Sequence, residues 1–225
     1  TDTDLVDRSD LSKIQFVLKA KDDIYSPVDG SLMFAKDEKI TTENSGAVVN
    51  VGTEIGKGIY ALSKDGQLDI SNLPMGTGEA KYYFEEVKTL DGCVLDETKH
   101  AFTFKQKDFT TKNYSKELNV ENKTTHFNFN KTDVTGDKEV EGAQLTITDE
   151  KGNVIDHWIS TDMPHSIEGL VVGKTYTLSE TVSAKDYVKA SDIRFTVKNS
   201  SELETVTMKD KQVSFTKTDV TGEKE

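Results

Sequence analysis

Along FNFNKTDVTG the chain alternates, with Phe127, Phe129 and Lys131 on one parity and Asn128 and Asn130 on the other. Successive side chains of an extended strand face opposite sides of a sheet, so this pattern predicts a half-buried strand whose lysine lies in line with two aromatic core residues. Lysine seldom faces a core. The same alternation returns at Val213, Phe215 and Lys217 in VSFTKTDVTG, which marks one small β-domain used in series. With Thr3 set on Thr132, Ile14, Phe16 and Leu18 fall opposite Ala143, Leu145 and Ile147. Further on, Tyr82 pairs with Tyr176 and Glu86 with Glu180, and Asn122 of KELNVENK falls opposite Asp210 of ETVTMKDK. Turn-rich pieces at SPVDG, KDG and LPMGTG separate the runs, and no segment holds a sustained helical period beyond a short turn near Ser191 to Ile193. The fold class is therefore all-β.

These pairings divide the chain into residues 1–122, residues 123–211, and the first strand of a following repeat at 212–225. Only a few residues separate Asn122 from the strand at Phe127, which predicts an articulated rod with little freedom between units. The chain opens within one copy of the motif and stops within the next, so it reads as a segment of a longer array.

Composition sharpens the picture. Hydrophobic residues make up 34% of the 225 positions and charged residues 30%, which suits small domains with modest cores. Such domains often need a staple, yet the single cysteine, Cys93, cannot form an internal disulfide. A net charge of −12 argues against binding nucleic acid or an anionic membrane, and serves solubility instead. No apolar run approaches membrane-spanning length, so no membrane insertion is expected in this segment.

Parity also turns two carboxylates inward. Tyr176, Leu178 and Glu180 share one face, as do Val206, Met208 and Asp210. Lys131, Glu180 and Asp210 are thus aimed at one core. An isolated buried charge is costly enough that groups pair or neutralise. Two outcomes fit the residues. One is a buried ion cluster, the commoner arrangement. In the other, a neutral Lys131 amine attacks the Asp210 carboxyl carbon with Glu180 carrying protons, one water leaves, and an amide remains.

The order KTDVTG, GAQLTI, YTLSET and VTMKDK resembles the B-type repeat domain of Gram-positive collagen adhesins, and is similar to SpaA-type pilin domains with a prealbumin-like fold. The resemblance covers nearly all of residues 126–211. It implies tandem prealbumin-like, Ig-like β-sandwiches. It also implies an intramolecular isopeptide bond between Lys131 on the first strand and Asp210 on the last, assisted by Glu180. For the first unit it makes Glu86 the assisting acid and Asn122 the acceptor, and leaves the donor unassigned. Asp2 occupies the lysine position in a gapless pairing, while two extra residues in the following turn would put that position just ahead of Thr1. Lys13 and Lys19 do not sit where the family has its donor. Asn122 and Lys217 are accordingly crosslink candidates with partners outside this chain. The implied role is a stalk or shaft module of an adhesin or pilin on the Gram-positive cell wall, with neighbouring repeats as partners. The alternative is a module gripping a host matrix protein through exposed aromatics near Trp158 or Tyr82. No turnover enzyme, cofactor or metal is implied.

Other signals are weaker. Asp2, Asp4, Asp7 and Asp10 resemble a calcium loop but lack its central Gly and closing Glu, so they read as a solvated turn. The four histidines show no metal spacing. Cys93 stands opposite Tyr187 and fills part of an aromatic's place. Sequons at Asn113, Asn122, Asn130 and Asn199 bear glycans only in a eukaryotic secretory route.

Overall fold

The computed structural model describes residues 3–107 and 114–214. The chain divides into two compact units, one spanning Asp7–Lys123, the other running from Thr124 onward and including Thr3–Val6. Both are built almost wholly of strands. Among the described residues no helix is long and apolar enough to cross a membrane.

The second unit is a β-sandwich. One sheet runs in the order Thr3–Asp4, His165–Glu168, His126–Asp133, Leu203–Gln212, Tyr187–Val188, and the other in the order Val154–Ile159, Gln144–Thr148, Thr175–Val182, Ile193–Thr196. Phe127, Phe129, Leu145, Ile147, Leu178 and Met208 fill the interior between them. The strand that carries the lysine and the closing strand run parallel side by side, from His126 opposite Leu203 to Asp133 opposite Asp210. Parallel neighbours cannot be joined by a hairpin, so this pairing brings the two ends of the domain together.

The first unit has a sheet in the order His100–Lys105, Glu79–Lys88, Gln15–Ala20, Ile59–Ala61, Thr53–Gly56. Two ribbons accompany it, Ile24–Tyr25 with Leu32–Phe34 and Val48–Val51 with Asp69–Ser71. Leu18, Ile24, Phe34, Tyr60, Tyr82 and Phe102 form its core.

The two units repeat one register. Phe16 lies opposite Glu86 and Leu145 opposite Glu180, each just after a bulge, at Gln15/Phe16 and Gln144/Leu145. Leu18 then meets Phe84, as Ile147 meets Leu178. A bulge re-aims the side chains beside it, and here it sits at the same point against the inward glutamate in both units.

Thr3 and Asp4 pair in parallel with Ile167 and Glu168, within the second unit as contacts divide the chain. The Leu5 N–H donates to the Glu168 carbonyl at 3.0 Å, and the Leu5 side chain packs on the second core. Without this strand His165–Glu168 would be an open edge, and such edges recruit partners. Gly169, at φ +87°, permits the approach, since a β-carbon there would meet Val6 at 2.6 Å. The first unit therefore begins at Asp7. The strand expected at 212–225 is described only to Ser214, and Lys217 and Asp2 lie outside the described residues.

Candidate functional site

Lys131 leaves its strand between Phe129 and the domain's far end, and only 2% of it is exposed. Its backbone is fixed on both sides, the N–H donating to Glu139 Oε2 at 3.1 Å and the carbonyl accepting from the Val140 N–H at 2.7 Å. In the parallel ladder Lys131 faces Met208, so Asp210 lies two residues further along the same face of the neighbouring strand. That step is about 7 Å, within reach of a lysine's four methylenes. The Nζ donates a hydrogen bond to Asp210 Oδ1 and lies 3.1 Å from Glu180 Oε1. Asp210 and Glu180 are both fully buried.

The acids are held differently. Glu180 Oε2 accepts the Ala190 N–H at 2.6 Å, which leaves Oε1 turned to the lysine. That oxygen is near enough for charge pairing but makes no hydrogen bond, and Asp210 Oδ2 has no partner either. One ammonium thus faces two carboxyls in a dry interior. Burial pushes the Asp210 carboxyl above its ordinary range; Lys131 opposes this, and the neighbouring Glu180 adds to it.

The first unit holds half of the same arrangement. Glu86 is buried, and its Oε2 accepts the Asp96 N–H at 2.7 Å, ten residues onward, just as Ala190 lies ten residues beyond Glu180. Its Oε1 accepts from Asn122 Nδ2 at 2.7 Å, and the same Nδ2 reaches Thr89 Oγ1 at 2.5 Å. Burial raises the Glu86 carboxyl, against the bonds from Asp96, Asn122 and Thr89. Lys19 is engaged elsewhere, with Glu85 at 2.9 Å, and Lys13 is exposed.

The structure therefore brings Lys131, Glu180 and Asp210 together, and separately Glu86 with Asn122. Sequence reasoning missed Thr89 and the two backbone anchors at Asp96 and Ala190. Their signal was an equal offset after each aligned glutamate, in KTLDGCVLD and SAKDYVKA. Trp158 is a core-edge residue, 5.7 Å from Phe129 and stacked on His165 at 4.2 Å. Tyr82 is fully buried. Asp7 and Asp10 accept the N–H groups of Ser9 and Ser12 in local turns.

Several solved structures are similar to this chain over most of its length. The Bacillus anthracis TIE protein is 19% identical with a TM-score of 0.47, matching 95% of this chain, which spans 33% of that one. A C-terminal fragment of the pilus adhesin SpaC from Lactobacillus rhamnosus GG is 14% identical with a TM-score of 0.44, over 96% of this chain and 97% of that one. The shaft pilin SpaA from the same organism is 17% identical with a TM-score of 0.36, over 96% of each chain. Comparison with curated proteins returns no match. The model of the SpaA prealbumin-like fold domain matches residues 1–118 and again 125–212, and the chain belongs to that family.

Proposed function

We propose that the two units are structural modules in the shaft or stalk of a Gram-positive surface adhesin or pilus, and that Lys131 and Asp210 of the second unit condense into an isopeptide bond. The observation that carries this is the Lys131 amine hydrogen-bonded to Asp210 beside Glu180, all three out of water. Ammonium and carboxylate together contain the atoms of one amide and one water. The neutral Nζ attacks the Asp210 Cγ, a C–N bond forms, and an oxygen leaves as water. Glu180 accepts the proton that Nζ sheds and delivers one to the departing oxygen. Fixed geometry supplies the effective molarity, and the neutral product removes two buried charges.

The mechanical consequence follows from the parallel pairing. Tension applied at one end of the unit passes from the lysine strand straight to the closing strand, bypassing the intervening chain across a sequence separation of 79. On the loop-entropy model for crosslinks the closure is worth about 4.5 kcal/mol, and it would slow unfolding and resist proteases. Neighbouring repeats are the natural partners and the cell wall the natural location. A role in gripping host matrix protein has no comparable support, because Trp158 covers the core edge and Tyr82 is buried.

Intact mass spectrometry tests the bond. The folded chain is expected one water lighter than its sequence, and the Lys131→Ala variant at full mass. A folded chain at full mass would leave only an ion cluster and overturn the reading.

A further inference from the structure

The first unit carries a stretch of chain that the second lacks. Gln15, Phe16 and Val17 pair with Ala61, Tyr60 and Ile59, as Gln144, Leu145 and Thr146 pair with Ile159, Trp158 and His157. The second unit joins its two strands through residues 149–153, whereas the first joins them through residues 21–58. One turn of this longer connection, residues 35–38, is pinned to the end of the strand that it leaves. The Asp37 N–H donates to the Ala20 carbonyl at 2.8 Å, the Ala20 N–H to the Glu38 carbonyl at 3.0 Å, and the Lys36 N–H to Asp23 Oδ1 at 2.8 Å. Asp37 is held there at φ +64°, in the left-handed region that few residues other than glycine enter.

Beside this turn lies a cavity of about 250 Å³ floored by Tyr83 and Ala101. The two are opposite each other on neighbouring strands, on the sheet face away from the core residue Tyr82, and the small Ala101 leaves room beside the ring. Their counterparts in the second unit are Thr177 and Arg194, so the floor is peculiar to the first. Tyr83 is buried, and its hydroxyl donates to Asp37 Oδ1 at 2.7 Å, which ties floor to turn.

The charges around the cavity are unevenly committed. Asp22 pairs with Lys81 at 3.2 Å, and the Tyr83 hydroxyl holds the Asp37 carboxyl below its ordinary range, so that it stays an acceptor. Lys21 and Lys36 are exposed, with no partner for either amine among the described residues. Lys99 comes only within 3.7 Å of Asp37 and rests over the Tyr83 ring at 4.6 Å. A ring face steadies an ammonium without neutralising it. Lys19, 5.8 Å from the same ring, differs because Glu85 takes its charge. Three available amines thus line one cavity in a chain of net charge −12, and together they call for an anion. Lysine binds phosphate as a point charge and needs no planar fork. The oxygens left over, Asp22 Oδ1 and Asp37 Oδ2, can only accept, which calls for hydroxyl donors on the same ligand. The cavity is smaller than the roughly 300 Å³ at which drug-sized sites begin, so it takes one small unit.

We propose that this cavity binds a phosphate group carried on a small polyol or sugar, with the phosphate on Lys21, Lys36 and Lys99 and the hydroxyls on Asp22 and Asp37. A free monoester and one unit of a phosphodiester polymer share this chemistry. The site is independent of the crosslink proposed for the second unit, and it gives the first unit a binding role of its own.

Titration of the isotope-labelled full chain with glycerol phosphate, followed through amide chemical shifts, tests this. Saturable shifts are expected at residues 21–22, 36–38, 83 and 99–101. Glycerol alone should give none at the same concentration, and inorganic phosphate should bind about 10-fold more weakly for want of hydroxyl donors. Glycerophosphoglycerol identifies the source: tighter binding than the monoester assigns the site to a polymer, weaker binding to a free ester, and both support the proposal. Lys36→Gln and Lys99→Gln should each weaken binding about 10-fold and leave the rest of the spectrum unchanged. Lys19→Gln, beside the same ring, should leave binding as it was. Shifts scattered over lysines throughout the chain, glycerol phosphate no tighter than sulfate at matched ionic strength, or undiminished binding when Lys21, Lys36 and Lys99 are all replaced by Gln would mean an adventitious ion only and overturn the proposal.

Discussion

The two units set the same acid into the same frame and then face it with different groups. Glu180 meets an amine and a carboxyl, while Glu86 meets a carboxamide. In both, one carboxyl oxygen is tied to a backbone N–H ten residues onward, and in both a bulge lies opposite the acid. The inward acid is therefore positioned by backbone, independently of the group that it faces. Burial of the acid is thus prepared in advance, and the facing strand decides what chemistry follows.

Removing the amine has the largest expected effect. Lys131→Met leaves Glu180 and Asp210 buried without their cation and forfeits the crosslink. Removing one partner of a buried pair costs about 3–5 kcal/mol, and the lost loop closure adds to that. Trp158 is the chain's single tryptophan and lies in the second unit, so its fluorescence in denaturant follows that unit alone. The second unit is expected to lose most of its resistance to denaturant while hydrogen exchange in the first is unchanged. Equal loss in both units would mean that they are not independent frames.

Next in size is the loss of the proton carrier. Glu180→Gln keeps the shape and an acceptor for the Ala190 N–H but cannot exchange protons. Condensation is expected to slow by about 100-fold or more, so freshly purified protein should retain its full mass and lose water only over days. Prompt water loss in this variant would assign the proton transfers elsewhere.

The first unit responds to pH through its buried acid. Its Glu86 carboxyl is raised above 4.5 chiefly by burial, so the folded unit binds that proton more tightly than the unfolded chain does. The resulting stability is complete below 4.5 and is lost as pH rises through the folded value. Hydrogen exchange of first-unit peptides should therefore accelerate with rising pH beyond the intrinsic chemical rate. Glu86→Gln should flatten that extra dependence. An unchanged profile in the variant would show that the acid is not the titrating group.

Much of this was legible from residue order. Parity alone turned Lys131, Glu180 and Asp210 inward, because a one-residue slip would have put Phe129, Leu178 and Met208 in water together with them. The alignment of Glu86 with Glu180 survived into the register because both strands pair with the same alternating partner, through Phe16 and Leu145. The pairing of Thr3–Asp4 with Ile167–Glu168 was not legible, because a two-residue strand has no pattern of its own. The anchors at Asp96 and Ala190 are marked only by their equal offset after each glutamate, since a backbone N–H donor leaves no mark in the side-chain sequence. Trp158 and Tyr82 looked like candidate contacts only while their strands' faces were unassigned.

The smallest expected effect concerns Lys19, the first unit's nearest substitute for a missing amine by sequence. Its amine pairs with Glu85 on the adjacent strand, with both side chains part-exposed at 22% and 30%. Glu85 is the neighbour of Glu86 in sequence and so points to the opposite face of its strand. A part-exposed pair of this kind is worth about 0.2–1 kcal/mol. Lys19→Met should accordingly change the first unit's stability by no more than that, and leave every mass loss in the chain as it was. If instead this substitution removed a mass deficit from the chain, Lys19 would be an amine that reaches the interior of the first unit, and its side chain would not lie on the face where it pairs with Glu85.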